Sequence, residues 1–377
     1  MLHCEYSKHS AAFKKNLEKL LKHFPAFRGK VMKMTFSHLP WKDIEALNSL
    51  TFKKDFKNIC VVGIGGSSLG AKALLSALGS TNVEFLDNID PDYVELKLNG
   101  LDPKQTLFVL ISKSGETVEV LSLASVLLTK FHSSKNFLII TDNKESSLGK
   151  LGKKHSIHIF QSQKELPGRF SVLSLVGLLP AVLAGVPIQR VLNGARSASW
   201  PQAYMFACYQ YLHYKNKKNI SVIFPYSERL ADFADWYIQL LSESIGKSKK
   251  VGITPLKALG VKDQHSQLQL FLDGPDDKFC IFLKPRKTES NQKIPGEKYN
   301  LAELFDAEYN GVKGAFIKKQ KPFLELDFDS ISPEVLGELF LFFELQIAFL
   351  GCLFKINCEN QPAVELSKRA TQTLLKK

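Results

Sequence analysis

The chain is poor in features that would settle its class at once. Only six of its 377 residues are cysteine, at 4, 60, 208, 280, 352 and 358. That is too few for a disulfide scaffold, and without a C-x-x-C pair it argues against a zinc ribbon. No apolar stretch reaches about 20 residues free of charge, as a membrane span requires. Val172 to Val186 is broken by Gly177, Pro180 and Gly185, and Val335 to Phe354 carries Glu338 and Glu344. Met1 to Lys15 mixes polar and aromatic residues, with no apolar core of a secretory signal. Low-complexity tracts and short-period repeats are missing, and so is an aromatic-interleaved basic stripe. The net charge of +13 is spread over short lysine clusters: 153–154, 215–218, 247–250 and 318–321. These read as solvated surface rather than a nucleic-acid interface, and a positive field also suits a small anionic substrate. We therefore expect no nucleic-acid partner, no membrane, and a reducing cytoplasm.

With 45% hydrophobic and 23% charged residues, the chain is that of a folded globular protein. Its pattern is strand, loop, helix, repeated. Ile59 to Val62, Leu107 to Ile111, Phe137 to Ile140 and Ile157 to Phe160 are short apolar runs of strand type. Leu69 to Leu78 and Val118 to Lys130 are helical. The alternation restarts with strands at Ile220 to Phe224, Phe279 to Leu283 and Phe323 to Phe328, and a helix over Arg229 to Ser244. Such alternation implies parallel sheets covered by helices, an α/β fold. The reading divides the chain into an N-terminal helical extension (1–45), a first α/β domain (46–187), a second (188–330) and a C-terminal helical arm (331–377). Ser332-Pro333-Glu334 opens the arm as a good helix start. Lys284 to Pro295 reads as an exposed loop.

Six short segments carry chemistry. Gly63-Ile64-Gly65-Gly66-Ser67-Ser68 follows a strand and precedes a helix. It is neither a dinucleotide fingerprint, since Ser68 occupies the third glycine position, nor a P-loop, since Ala71 intervenes before Lys72. Backbone amides and the Ser67 hydroxyl in such a turn suit an anion; a purely structural turn fits about as well. Ser112-Lys113-Ser114-Gly115-Glu116-Thr117 also ends a strand. Its hydroxyls either cap a helix or surround a tetrahedral anion, and two such turns at two strand ends favour one anion site. Gly168-Arg169-Phe170-Ser171 precedes a very apolar helix, so Arg169 needs a partner, most simply a structural salt bridge. Gln239 and Glu243 share a helix face beside Leu240, Leu241 and Ile245. Glu243 is either a base in apolar surroundings or half of an exposed pair with Lys247. Gln264-His265 and Gln361-Pro362-Ala363-Val364-Glu365-Leu366-Ser367-Lys368, taken singly, are a surface loop and an ordinary helix start.

In this order the segments resemble the glucose-6-phosphate isomerase (phosphoglucose isomerase) family in its compact bacterial form. The G-I-G-G-S, S-K-[ST]-x-x-T, G-R-[YF]-S, E-S-x-G-K, Q-H and Q-P-x-V-E-x-x-K patterns are met by 63–67, 112–117, 168–171, 243–247, 264–265 and 361–368. The resemblance implies two sugar-isomerase (SIS) domains of flavodoxin-like type. It implies interconversion of glucose 6-phosphate and fructose 6-phosphate with neither metal nor cofactor. By position, Gly66, Ser67, Ser112, Lys113, Ser114 and Thr117 would bind the phosphate. Glu243 would be the base, Arg169 would stabilise the enediolate, His265 and Lys368 would open the ring, and Gln239 and Gln361 would line the site. It also implies a homodimer in which His265 comes from the neighbouring subunit. A broader phosphoglucose/phosphomannose isomerase and a non-catalytic sugar-phosphate sensor are the alternatives. The chain departs from the family pattern at Glu116, Ile245, Lys262-Asp263, Ala363 and Ser367; Glu116 would either face the phosphate or turn away.

Overall fold

The computed structural model describes residues 2–7, 9–42, 47, 56–131 and 134–375. In chain order the elements are β1 (His3–Tyr6), α1 (Ala11–Leu21), α2 (Phe24–Val31), β2 (Asn58–Val62), α3 (Leu69–Ala77), β3 (Val83–Leu86), α4 (Pro91–Asn99), β4 (Thr106–Ile111), α5 (Val118–Phe131), β5 (Phe137–Thr141), α6 (Ser147–Lys154), β6 (His158–Gln161), α7 (Leu175–Leu183) and α8 (Ile188–Arg196). There follow α9 (Trp200–Lys215), β7 (Ile220–Pro225), α10 (Ala231–Ile245), β8 (Thr254–Lys257), α11 (Leu268–Asp273), β9 (Lys278–Pro285), α12 (Leu301–Lys318), β10 (Phe323–Phe328), α13 (Pro333–Phe354) and α14 (Val364–Leu375).

The strands form two sheets. The first has the order β3-β2-β4-β5-β6 and is parallel throughout. Numbered from its own first strand this is 2-1-3-4-5, the flavodoxin-like order, in which ligands bind where the strand order reverses. That reversal lies between β2 and β4, where Val62 pairs with Leu110. The loops starting at Gly63 and Ser112 therefore leave the sheet side by side. All six residues of β4 are buried, as a central strand covered by helices on both faces requires.

The second sheet has the order β1-β10-β9-β7-β8. Strands β7 to β10 are parallel, and β1 pairs antiparallel with β10, Cys4 opposite Leu326. The N-terminal segment is thus not wholly helical: its first strand closes an edge more than 300 residues away in sequence. An open parallel sheet leaves an edge row of amides unpaired, and β1 covers it. The 45/46 boundary of the sequence reading falls outside the described residues.

The reading of 331–377 as an arm also needs correction. Only α14 is exposed along its whole length. Helix α13 is apolar all round and sits in the core; it is long and apolar enough to cross a membrane, yet 94% of its most apolar window is buried inside the protein. It crosses α8 backbone to backbone, because a Cβ on Gly337 would stand 1.8 Å from the Val191 carbonyl oxygen. One apolar cluster runs from the first sheet through α13 to the second. That shared core holds the first sheet's strand ends against the C-terminal end of α10.

Candidate active site

The two loops at the strand reversal carry the hydroxyl set. Ser112 is buried, its hydroxyl donates to Thr117 Oγ1 at 2.9 Å, and it accepts the Gly115 amide at 3.1 Å. Ser114 Oγ accepts the Glu116 amide at 3.2 Å. Ser67 ends a short 3-10 turn, Gly65–Ser67, at the mouth of the first loop. Ser114 is exposed, and Ser67, Lys113 and Thr117 are part-exposed. Glu116 turns away: its Oε1 and Oε2 accept the amide and hydroxyl of Ser147 at the start of α6.

Gly66 brings the first loop onto the turn Gly168–Phe170. A Cβ there would lie 2.3 Å from the Gly168 carbonyl carbon and 2.6 Å from the Arg169 nitrogen. Only glycine allows this approach. Ser171 stitches the same contact, its hydroxyl facing the Gly168 oxygen at 2.6 Å and the Gly66 oxygen at 3.3 Å.

Arg169 is 2% exposed. A buried guanidinium is costly unless its donors are met. Here Nε donates to Ser244 Oγ at 2.8 Å, and Nη1 donates to Glu243 Oε2 at 3.1 Å and Gln361 Oε1 at 2.9 Å. Nη2 donates to the carbonyl oxygens of Cys358 at 2.5 Å and Asn360 at 3.3 Å. Burial lowers the guanidinium pKa, and Glu243 works against that shift. The result is a rigid cation with an immobilised plane.

Glu243 and Gln239 project from the last turns of α10. The helical period puts Leu240, Leu241, Ser244 and Ile245 into the core and leaves 239 and 243 on the opposite side. The expectation of apolar surroundings for Glu243 is therefore corrected. Its Oε1 accepts from Gln239 Nε2 at 2.9 Å, its Oε2 faces Arg169, and its side chain is 30% exposed. The alternative ion pair with Lys247 does not form either: Lys247 Nζ donates to the main-chain oxygens of Glu243, at 2.6 Å, and Asn360. Gln239 also reaches over the glycine loop, its Nε2 lying 3.0 Å from where a Gly65 Cβ would be.

Gly66, Arg169, Gln239, Glu243 and Gln361 thus meet in one place. Two residues do not join them. His265 follows the short turn Lys262–Gln264 beyond the carboxyl end of β8, whereas Glu243 lies before the start of β8. The two residues therefore lie at opposite ends of β8. His265 is exposed, and its neighbour Gln264 donates to Tyr226 Oη at 3.0 Å. Lys368 stands on α14, 62% exposed, paired with Glu365 at 2.9 Å.

Sequence reasoning missed Ser244 and the carbonyls of Cys358 and Asn360. Ser244 was readable, since it is the polar residue next to Glu243 and meets the same guanidinium. The carbonyls leave no trace in side-chain type; only the turn after α13 positions them.

The arrangement is a fixed cation against a carboxylate, with two glycine- and serine-rich loops nearby at the strand reversal. That suits proton removal beside a carbonyl in a phosphorylated substrate. A family profile described as Phosphoglucose isomerase matches residues 44–377. A glucose-6-phosphate isomerase from Carboxydothermus hydrogenoformans is 36% identical, over 90% of this chain and 84% of that protein. One from Methanocaldococcus jannaschii is 35% identical, over 88% of each. A crystal structure of a hypothetical protein from Thermus thermophilus superposes with a TM-score of 0.87 at 31% identity, over 99% of this chain and 100% of that one. A glucose-6-phosphate isomerase from Chlamydia trachomatis shares the fold, with a TM-score of 0.87 at 21% identity over 100% of this chain and 88% of its own.

Proposed function

The chain belongs to the phosphoglucose isomerase family, and we infer on that premise that it interconverts glucose 6-phosphate and fructose 6-phosphate with Glu243 as its base. The observation that carries the reading is the Arg169–Glu243 contact at 3.1 Å, in which every other Arg169 donor is held by protein.

The reaction moves one proton between C2 and C1 and two electrons within one substrate. No external electron carrier is required. Glu243 takes the proton, and the C–H electron pair becomes the enediolate double bond. Arg169 faces the oxygen where charge develops. A preorganised donor of this kind contributes about 10²- to 10³-fold in rate. The carbonyl pair moves onto O1; transfer of the hydroxyl proton from O2 to O1 and return of the carbon-bound proton to C1 complete the exchange, and the reverse direction retraces these steps. Gly66, Ser67, Ser112, Lys113, Ser114 and Thr117 hold the phosphate, whose binding energy positions the carbon chain. Gln239 and Gln361 orient the carboxylate and guanidinium.

Ring opening needs an acid–base pair, here assigned to His265 and Lys368. His265 lies at the far end of the second sheet from Glu243 of its own chain, and it is exposed. That separation favours a homodimer in which His265 serves the partner's site. Lys368 would reach the site by inward docking of α14. Six free thiols accord with work in a reducing cytoplasm.

The test is turnover of fructose 6-phosphate by chelator-treated protein, with solvent deuterium followed into C1 and C2. Wild type should turn over and Glu243→Gln should lose at least 10³-fold in kcat while still binding the sugar phosphate. Equal turnover by the two proteins would overturn the assignment of the base.

A further inference from the structure

The Arg169 cradle is built from two pieces of chain that share no secondary structure. Glu243 and Ser244 belong to the last turn of α10. Cys358, Asn360 and Gln361 belong to the turn after α13. Nothing covalent near the site fixes the distance between them.

Besides Arg169 itself, one other side chain spans the gap. Lys247 Nζ donates to the Glu243 carbonyl at 2.6 Å and also to the Asn360 carbonyl. Its first contact is on the residue proposed as base. Its second is on an oxygen that also accepts from Arg169 Nη2. Lys247 is half-buried, and its charged or titratable neighbours are Arg169, the Cys358 thiol and Glu243. A cation at this point also satisfies the carbonyl dipoles at the end of α10.

We infer that Lys247 is a positioning residue for the isomerisation: its ammonium ties the end of α10 to the turn after α13 and so sets the register between Glu243 and Arg169. The inference rests on the proposed roles of those two residues. Lys247 touches no reacting atom. It acts through the main-chain oxygens of 243 and 360, and as a second fixed positive charge beside the carboxylate. A shift of about 1 Å in such a register costs on the order of 10²-fold in rate.

Lys247→Met removes both the strut and the charge. Lys247→Gln keeps hydrogen-bonding reach without charge, and Lys247→Arg keeps charge. With fructose 6-phosphate as substrate, the Met variant should lose at least about tenfold in kcat, with KM within about threefold of wild type. The acid limb of its kcat/KM profile should rise by about 0.5 pH unit, because a nearby cation favours the ionised carboxylate. The Arg variant should restore the limb and most of kcat. The Gln variant should keep the raised limb and recover part of kcat, and it carries the test if the Met protein does not fold.

Unchanged kcat in the Met and Gln variants would overturn the inference. So would a lowered kcat with an unmoved pH profile and no rescue by Arg, which would mark Lys247 as general support for the fold. Both results leave the Glu243 reading standing, since that reading falls only if Glu243→Gln stays active.

Discussion

Glu116 and Ser147 are locked together across two loops: Oε1 accepts the Ser147 amide at 2.8 Å and Oε2 its hydroxyl at 2.7 Å. The carboxylate that stands in the phosphate loop by sequence is a helix cap by structure. It satisfies an orphan donor at the start of α6 and sits at the positive end of that helix. Those bonds lower its pKa below the ordinary carboxylate value. The contribution is therefore full above pH 4.5 and fades as pH falls through the lowered value. Glu116→Ala should cost about 0.5–1 kcal/mol in urea unfolding at pH 7, less at pH 3, with KM for fructose 6-phosphate within twofold of wild type. A marked fall in KM in that variant would mean the carboxylate faces the phosphate after all.

Gly66 offers a sharper steric test. The added methyl of Gly66→Ala would overlap the Gly168 carbonyl carbon at 2.3 Å. Neither backbone has slack, because Ser171 ties Gly66 to Gly168. The loops must separate, and Arg169 moves with its turn. We expect a loss of about 2 kcal/mol or more in stability and at least 10²-fold in kcat, measured by denaturant unfolding and steady-state kinetics. Near-wild-type kinetics in a well-folded variant would show that the contact does not hold Arg169.

Much of this was legible in the sequence, for identifiable reasons. The central strands β2, β4 and β5 are continuous apolar runs, and their loops carry glycine and serine. Of the four edge strands only β6, read as Ile157 to Phe160, was legible. β1, β3 and β8 have four residues each, and short runs at a sheet edge need neither length nor strong apolarity. The Arg169 partners were half legible. Glu243 and Gln361 announce themselves by type, whereas Cys358 and Asn360 act through backbone oxygen, which every residue has. The surroundings of Glu243 were misjudged because neighbours in sequence on a helix are not neighbours in space; Leu240 and Leu241 face the other way.

His213 sets an acid limit to stability. It is 5% exposed and stacks on Phe279 with ring centroids 4.8 Å apart, and its Nε2 finds no hydrogen-bond partner among the described residues. Burial lowers its pKa to about 3. The unfolded chain takes up a proton near pH 6.5, the folded one only near 3. Stability is thus intact above 6.5 and lost as pH falls towards 3, by roughly 1 kcal/mol per pH unit. His213→Phe should flatten the fall in Tm between pH 6.5 and 4. An identical slope in wild type and variant would assign acid sensitivity elsewhere.

Glu344 sets the opposite limit. It lies in the middle of α13, fully buried, and neither carboxylate oxygen has a hydrogen-bond partner among the described residues. Glu338, six residues earlier, accepts the Leu2 amide at 3.2 Å, so the two glutamates of this helix differ in kind. An ionised carboxylate without partners is strongly disfavoured in such a site, and burial raises the Glu344 pKa well above 4.5. The folded protein therefore keeps this proton after the unfolded chain has released it. The native state loses no stability below pH 4.5. Above that it loses up to about 1.4 kcal/mol for each pH unit until the raised value is passed. Glu344→Met replaces the carboxyl with an apolar side chain of similar length that needs no partner. Its gain in Tm over wild type should be small at pH 4.5 and grow steadily to pH 8. A constant gain would point to packing alone. A loss at every pH would mean that the carboxyl is held by a bond the apolar environment of α13 does not reveal. Either result would refute Glu344 as the source of alkaline destabilisation.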